Sequence, residues 1–146
     1  MSVSPADVCS CVRILKQSHT NVEDYALIQL DRPLPGKVLR VARADLPLET
    51  PLVMIGHPTG LPQKITDGGQ IISYLSRGFK TGLDAFQGNS GSAVFDDRTG
   101  EVLGIISNGN ADYRHNLRLN CSEVNVLPMQ EGGESVSSFR QFMTSF

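Results

Sequence analysis

The sequence lacks the charge excess that would indicate a nucleic-acid or anionic-membrane partner. Its 146 residues carry 13 Lys and Arg against 15 Asp and Glu, which leaves a formal net charge of −2. No apolar run approaches the roughly 20 residues of a membrane span, and the N-terminus MSVSPADVCS has no apolar signal-peptide core. We therefore expect one globular unit with no nucleic acid and no membrane as partner, and with no visible export signal. The oligomeric state stays open.

Cysteine is also scarce, with only Cys9, Cys11 and Cys121. Cys9 and Cys11 are too close for the usual zinc-knuckle spacing, and a disulfide between them would be strained. One of them could pair with Cys121 in an oxidising compartment, and three scattered, buried thiols are the alternative. A metal site from Asp112, His115 and Cys121 has no supporting motif. We expect no metal site and no cofactor.

Short segments rich in Val, Ile and Leu follow one another along the chain. Turn-forming residues separate them, as in DRPLPG, HPTGLP and DDRTG. This pattern predicts an all-β sandwich or barrel, with a clear hairpin at residues 92–107. The predicted strands are CVRIL (11–15), YALIQL (25–30), KVLRVAR (37–43), PLVMIGH (51–57), QIISYL (70–75), SAVF (92–95) and EVLGIIS (101–107).

The C-terminal residues follow a different period. From Ser135 onward apolar side chains recur at helical spacing, which predicts an amphipathic C-terminal α-helix within residues 132–146. The residues in this pattern are Val136, Phe139, Phe142 or Met143, and Phe146.

The stretch DAFQGNSGS, residues 84–92, places Ser90 between two glycines. A serine hydroxyl becomes a nucleophile when a base removes its proton and backbone N–H groups hold the oxyanion that forms. Gly88 permits backbone angles that a side chain disfavours, so this turn could direct the Gly88 and Ser90 amides to one point. A plain surface turn is the alternative.

Two other serine-hydrolase patterns do not fit this stretch. The α/β-hydrolase elbow needs Gly-x-Ser-x-Gly before a helix, whereas Ser92 takes the last position here and a hairpin follows. The order Asp24, His57, Ser90 is that of subtilisin, but that fold has a helix behind its serine. His57 is explained equally well by the turn HPTG at a strand end.

Three ordered motifs resemble the trypsin-like (chymotrypsin-fold) serine proteases, especially bacterial members with Gly-Asn-Ser-Gly-Ser. The motifs are DYALIQL (24–30), DAFQGNSGS (84–92) and GIISNG (104–109). The resemblance implies a chymotrypsin-like double β-barrel and a serine endopeptidase that acts on protein or peptide substrates. Family members are often exported, which suggests an extracellular or periplasmic location.

The resemblance implies catalytic roles for the matching residues. Ser90 would be the nucleophile and form an acyl-enzyme, and the amides of Gly88 and Ser90 would form the oxyanion hole. Asp24 would orient a catalytic histidine, with Ser107 nearby. The alternative is that Asp24 merely caps a strand.

The resemblance also implies substrate-binding residues. Asp84 precedes Ser90 by six residues, the offset of the pocket base that selects Arg or Lys before the cleaved bond. The backbone of Ser107, Asn108 and Gly109 would pair with an extended substrate. Asn108-Gly109 is also a common hairpin turn.

This sequence departs from the family at two positions beside the nucleophile. Asn89 stands where the family often has an aspartate that pairs with a newly released N-terminal ammonium, so that activation switch is not expected here. Phe86 stands where many members have a cysteine, so no disulfide braces this loop.

The largest departure is the catalytic histidine, which the family places some tens of residues before its aspartate. Only 23 residues precede Asp24, and neither His19 nor His115 lies in a matching context. We expect this histidine upstream of Met1, and therefore little or no peptidase activity from this chain alone. A catalytically inactive β-barrel relic or binding module is the alternative.

This interpretation divides the chain into four segments. They are a remnant of the first β-barrel with the aspartate (1–43), a linker (44–50), a second β-barrel with the serine (51–131) and the C-terminal helix (132–146).

Overall fold

The computed structural model describes residues 3–20, 23–128, 131 and 133–140, and in these residues the chain is all-β. Short 3₁₀ turns occur at Pro5–Asp7 and Pro58–Gly60. No helix in the described part is long and apolar enough to cross a membrane. The strands are β1 (Cys11–His19), β2 (Asp24–Leu30), β3 (Pro51–Gly56), β4 (Lys64–Leu75), β5 (Gly78–Thr81), β6 (Ala93–Asp96), β7 (Val102–Asn108), β8 (Tyr113–Asn116), β9 (Cys121–Val124) and β10 (Glu134–Ser138).

Six strands close into a barrel in the order β10–β5–β4–β3–β6–β7. Every neighbouring pair is antiparallel. In β3, alternate residues point inward, as the two-residue period of a strand requires. The apolar core of the barrel is formed by Leu52, Met54, Ile71, Phe79, Leu83, Val94, Leu103, Ile106 and Val136.

Strands β1 and β2 form a separate antiparallel hairpin beside the barrel. The end of the hairpin lies against β10 and the β4–β5 turn. There the Asp24 amide donates to Ser137 Oγ at 3.4 Å, and the Arg77 guanidinium lies 3.5 Å from the Glu23 carboxylate. These contacts hold the first residue of β2 next to the barrel.

A third sheet, the hairpin β8–β9, extends from the segment after β7. Tyr113 at its start packs against Phe86, with ring centroids 5.8 Å apart. Cys121 begins β9 and is a free thiol, as are Cys9 and Cys11. The three thiols are thus unpaired, but the expectation that they are buried is wrong, because Cys9 is half-buried and Cys11 and Cys121 are exposed.

The predicted all-β barrel fold and the 92–107 hairpin are confirmed, but two predicted elements are wrong. Residues 37–43 form no strand apart from a single bridge of Val41 to Val102, and Val38 is exposed. The predicted C-terminal helix is replaced at Glu134–Ser138 by β10, because the barrel needs a strand between β5 and β7. Phe142, Met143 and Phe146 lie outside the described residues. The division at 44–50 remains a prediction.

Candidate active site

Two consecutive β-turns place Ser90 at the surface. In the first, the Asn89 amide donates to the Phe86 carbonyl at 3.1 Å, and in the second, the Ser92 amide donates to the Asn89 carbonyl at 2.8 Å. The third residue of each turn is a glycine with positive φ, +99° at Gly88 and +86° at Gly91. Type II turns require positive φ at this position, and glycine adopts it without strain. The two glycines therefore serve one turn each.

Neighbouring segments hold the double turn from both sides. The Gly91 amide donates to the Ile106 carbonyl at 2.8 Å, and the Ile106 amide donates to the Ser92 carbonyl at 3.0 Å. On the other side, the Thr59 amide donates to the Gln87 carbonyl at 2.7 Å. These bonds fix the turn to β7 and to the loop after β3.

Gly88 is required by space as well as by φ. A Cβ at this residue would lie 3.0 Å from the His57 carbonyl oxygen and 3.1 Å from the Thr59 nitrogen. Within the described residues, neither the Gly88 amide nor the Ser90 amide donates to a protein acceptor. Two free amides beside an exposed serine are what an oxyanion site needs.

Asp24 lies opposite His19 across the end of the β1–β2 hairpin. His19 Nδ1 is 3.2 Å from Asp24 Oδ1, and the two side chains are 91% and 49% exposed. Both residues line a cavity of about 800 Å³ together with Ser90 and Phe139. The predicted aspartate and nucleophile therefore face one space, and the histidine there is one that the sequence context did not favour.

Two serines lie near Asp24, the predicted Ser107 and the unpredicted Ser137. Ser107 Oγ donates to the Ser135 carbonyl at 3.1 Å, whereas the hydroxyl that contacts Asp24 belongs to the buried Ser137. Ser107 and Asp24 do border one cavity of about 500 Å³. Ser137 was not predicted as a site residue, because its segment was predicted as a helix.

The predicted substrate-binding backbone lies beside the nucleophile. Ser107, Asn108 and Gly109 line a cavity of about 490 Å³ that also contains Ser90. β6 begins at Ala93 opposite Ile105, so within the described strands it does not cover the β7 edge beyond Ile106. This edge can accept the main chain of an extended peptide.

Asp84, the predicted pocket base, lines a different cavity of about 380 Å³. Asp112 and Glu134 line this cavity and also the one beside Ser90. Burial, together with the nearby Asp112 and Asp84 carboxylates, raises the pKa of Glu134 to about 7. A Cβ at Gly109 would overlap the Glu134 carboxylate. Three carboxyl groups therefore border the two adjoining cavities.

Side chains that bind metals do not cluster in the described residues. No group of three or more His, Cys, Asp or Glu in the described residues could hold a metal ion. Asp112 instead accepts a hydrogen bond from the Gln87 amide at 2.8 Å.

Comparison with known proteins identifies the family. The sequence matches the family model of the trypsin-like peptidase domain over residues 5–105, a range that contains both Asp24 and Ser90. The chain belongs to this family.

Solved structures agree with this trypsin-like peptidase domain at the level of the fold. The inactive form of Rv3671c from M. tuberculosis H37Rv, as a serine-to-alanine mutant, is 19% identical with a TM-score of 0.58. The alignment covers 92% of this chain and 61% of that one. Another structure, the inactive form of the Rv3671c protease, is 20% identical with a TM-score of 0.55, covering 88% and 61% of the two chains. The chain thus spans about three fifths of the length of these structures. No curated protein matches it significantly.

In this trypsin-like peptidase domain, most of the predicted site residues lie together. Ser90 shares one cavity with Asp24 and another with residues 107–109, while Asp84 is one cavity removed. Sequence reasoning missed Glu134 and Ser137, which both lie on β10. Recognition of β10 as a barrel strand is the signal that would have found them.

Proposed function

We propose that this trypsin-like peptidase domain hydrolyses peptide bonds through an acyl-enzyme on Ser90. The observation that carries the proposal is the double turn, whose Ser90 and Gly91 line one cavity with Asp24 and whose Gly88 and Ser90 amides have no protein acceptor among the described residues. Ser90 Oγ attacks the peptide carbonyl and loses its proton to an imidazole, while the two amides stabilise the oxyanion. The C–N bond then breaks, the amine leaves with that proton, and water releases the acyl group.

The imidazole has two possible sources. His19 is in contact with Asp24, but its side chain is 91% exposed, so nothing fixes its second nitrogen against Ser90. The family resemblance implies a histidine in a sequence context that neither His19 nor His115 has. We therefore keep the expectation of little turnover by this chain alone, because an alcohol needs a base within hydrogen-bond reach.

The proposed substrates are proteins or peptides with Arg or Lys before the cleaved bond. Glu134 and Asp112 border the cavity beside Ser90, and Asp84 borders the adjoining one. A partly desolvated carboxylate selects a cation, which compensates its burial. The cationic selection would thus come from these three residues.

The test is covalent labelling of Ser90 by a fluorophosphonate, with and without added imidazole. The reagent forms a bond between Ser90 Oγ and phosphorus and expels fluoride, so it reports the nucleophile and the oxyanion amides without a full turnover. We expect slow labelling by the chain alone and faster labelling with imidazole, which supplies the base. This faster reaction is called assisted labelling below. Ester substrates with Arg, Lys, Glu and Phe would then report the specificity.

Two variants make the outcome decisive. Ser90→Ala must abolish assisted labelling, and His19→Ala, with His115→Ala as its matched control, tests whether His19 is the base. Loss of unassisted labelling in His19→Ala alone would identify His19 as the base. If Ser90 is not labelled at all, the peptidase proposal is refuted and the binding module is favoured. The exposed His19 side chain, which is not fixed against Ser90, supports this second candidate.

A further inference from the structure

Asn89 is the buried residue between the two turns that flank the nucleophile. Its side chain is 2% exposed, and its amide oxygen lies 3.5 Å from Ser92 Oγ, the long end of a hydrogen bond. Its own backbone N–H and C=O close the first and the second turn respectively. One residue therefore links both turns and is anchored by its side chain.

The anchor is accommodated by a glycine on a barrel strand. A Cβ at Gly56, the last residue of β3, would overlap both Oδ1 of Asn89 and Oγ of Ser92. Gly56 leaves the space that the carboxamide fills, so the side chain is packed against the rigid barrel wall. This contact is independent of the bonds that tie Gly91 to β7.

Whether the buried side chain is charged determines whether it needs a cationic partner. A carboxylate buried to this extent would need a cationic partner, because an unpaired ion in an apolar site is strongly disfavoured. A carboxamide is neutral and has no such need. The double turn can then form as the barrel folds, without a charged group delivered from elsewhere in the chain.

We propose that Asn89 is a positioning residue, a neutral anchor in the space left by Gly56 that holds the Gly88 and Ser90 amides in their oxyanion arrangement. The inference rests on the proposed function, since these amides are useful only if an oxyanion forms. It adds that contacts within the barrel, at Gly56 and Ser92, hold this arrangement in place.

The test introduces a charge that pH can switch. Asn89→Asp is isosteric and neutral when protonated, and its burial raises the pKa of the new carboxyl above the usual value of about 4. At low pH we expect the native turn, and as pH rises through the raised pKa we expect the turn to open. Amide exchange at Gly91 and Ser92 should then accelerate roughly tenfold or more, since an unpaired buried ion costs more than 1.4 kcal/mol.

The readouts must separate the turn from the whole fold. The amide resonances of Gly88 and Ser90 should shift with pH in Asn89→Asp, while those of the barrel core stay in place. His57 and Asp112 flank this loop in the parent and in the variant alike, so the two proteins are compared at the same pH. Asn120→Asp, at an exposed turn, is the matched control and should behave like the parent.

A second variant keeps the test valid if Asn89→Asp unfolds globally at high pH. Asn89→Ser is neutral and shorter, so it removes the anchor without burying a charge. It should speed Gly91 and Ser92 exchange with the barrel intact and slow assisted labelling. Parent-like exchange in Asn89→Ser, or parent-like Gly88 and Ser90 resonances in Asn89→Asp at pH 8, would overturn the proposal. The amide-exchange and resonance measurements need no reaction at Ser90, so they test the proposal even if Ser90 is never labelled.

Discussion

At the scale of single residues, Glu134 gives the stability of this protein a pH dependence. Its folded-state pKa is raised to about 7 by burial and by the Asp112 and Asp84 carboxylates. The unfolded chain titrates near the ordinary value of about 4.3, so the folded state binds more protons between these two values. Stability therefore falls as pH rises from about 4.3 to about 7, and then levels off.

Glu134→Gln should remove this contribution, because glutamine stays neutral. We expect unfolding midpoints in urea at pH 5 and pH 8 to converge in this variant relative to the parent. Glu131→Gln, beyond β9 and exposed, is the matched control and should keep the parent's slope. A parent-like pH dependence in Glu134→Gln would show that Glu134 is not the group responsible.

Gly88 supports a second prediction at this scale, because it combines positive φ with close backbone neighbours. Gly88→Val should reduce assisted labelling of Ser90 by roughly 10²–10³, the effect of losing one oxyanion donor. Gly36→Val is the control, since Gly36 also has positive φ but has open space around it. Equal labelling by the two variants would mean that Gly88 donates nothing to the oxyanion.

At the scale of elements, the strand β10 carries the closure of the barrel. Val136 on this strand is 2% exposed and pairs with Phe79 of β5 and Ile106 of β7. Val136→Ala should lower the free energy of unfolding by about 2 kcal/mol. Val126→Ala, at a side chain that is 83% exposed, should change it little. Denaturant unfolding measures both, and equal losses would contradict the role of β10.

Which elements could be predicted depends on where their partners lie. The β6–β7 hairpin was predictable because its turn is local, with Asp96 accepting hydrogen bonds from the Arg98 amide and the Thr99 hydroxyl. β10 was not predictable because its partners, β5 and β7, are distant in sequence. Its spacing of Val136 and Phe139 also satisfies a helix.

The same distinction applies to the candidate site. Ser90, Gly88 and Asp24 belong to short motifs, so the sequence alone indicated them. The contacts of Ser137 with Asp24 and of Asn89 with the Gly56 region depend on tertiary structure. No local pattern encodes them.

At the scale of the whole molecule, the β1–β2 hairpin leaves apolar strand edges uncovered. It is a two-stranded sheet, so in the described residues each strand has one unpaired edge. Val12 and Ile14 on β1 are more than half exposed. Exposed apolar strand edges pair with other chains, so we expect concentration-dependent association of this chain.

Ile14→Lys should reduce this association, because charged residues on strand edges oppose edge-to-edge pairing. Val126→Lys, outside the hairpin, is the matched control and should associate like the parent. Sedimentation velocity over a range of concentrations measures the effect. If the two variants associate to the same extent, the contact lies elsewhere on the molecule.

The position of β10 in the barrel also determines when the barrel can close during synthesis of the chain. β5 and β7 are its two neighbours, and both are synthesised before it. A nascent chain that has not yet released residues 134–138 from the ribosome therefore has every other barrel strand but an open seam between β5 and β7. The missing strand β10 also carries Ser137, whose hydroxyl accepts a hydrogen bond from the Asp24 amide. The barrel therefore closes, and the Asp24–Ser137 contact forms, only after residues 134–138 have been synthesised.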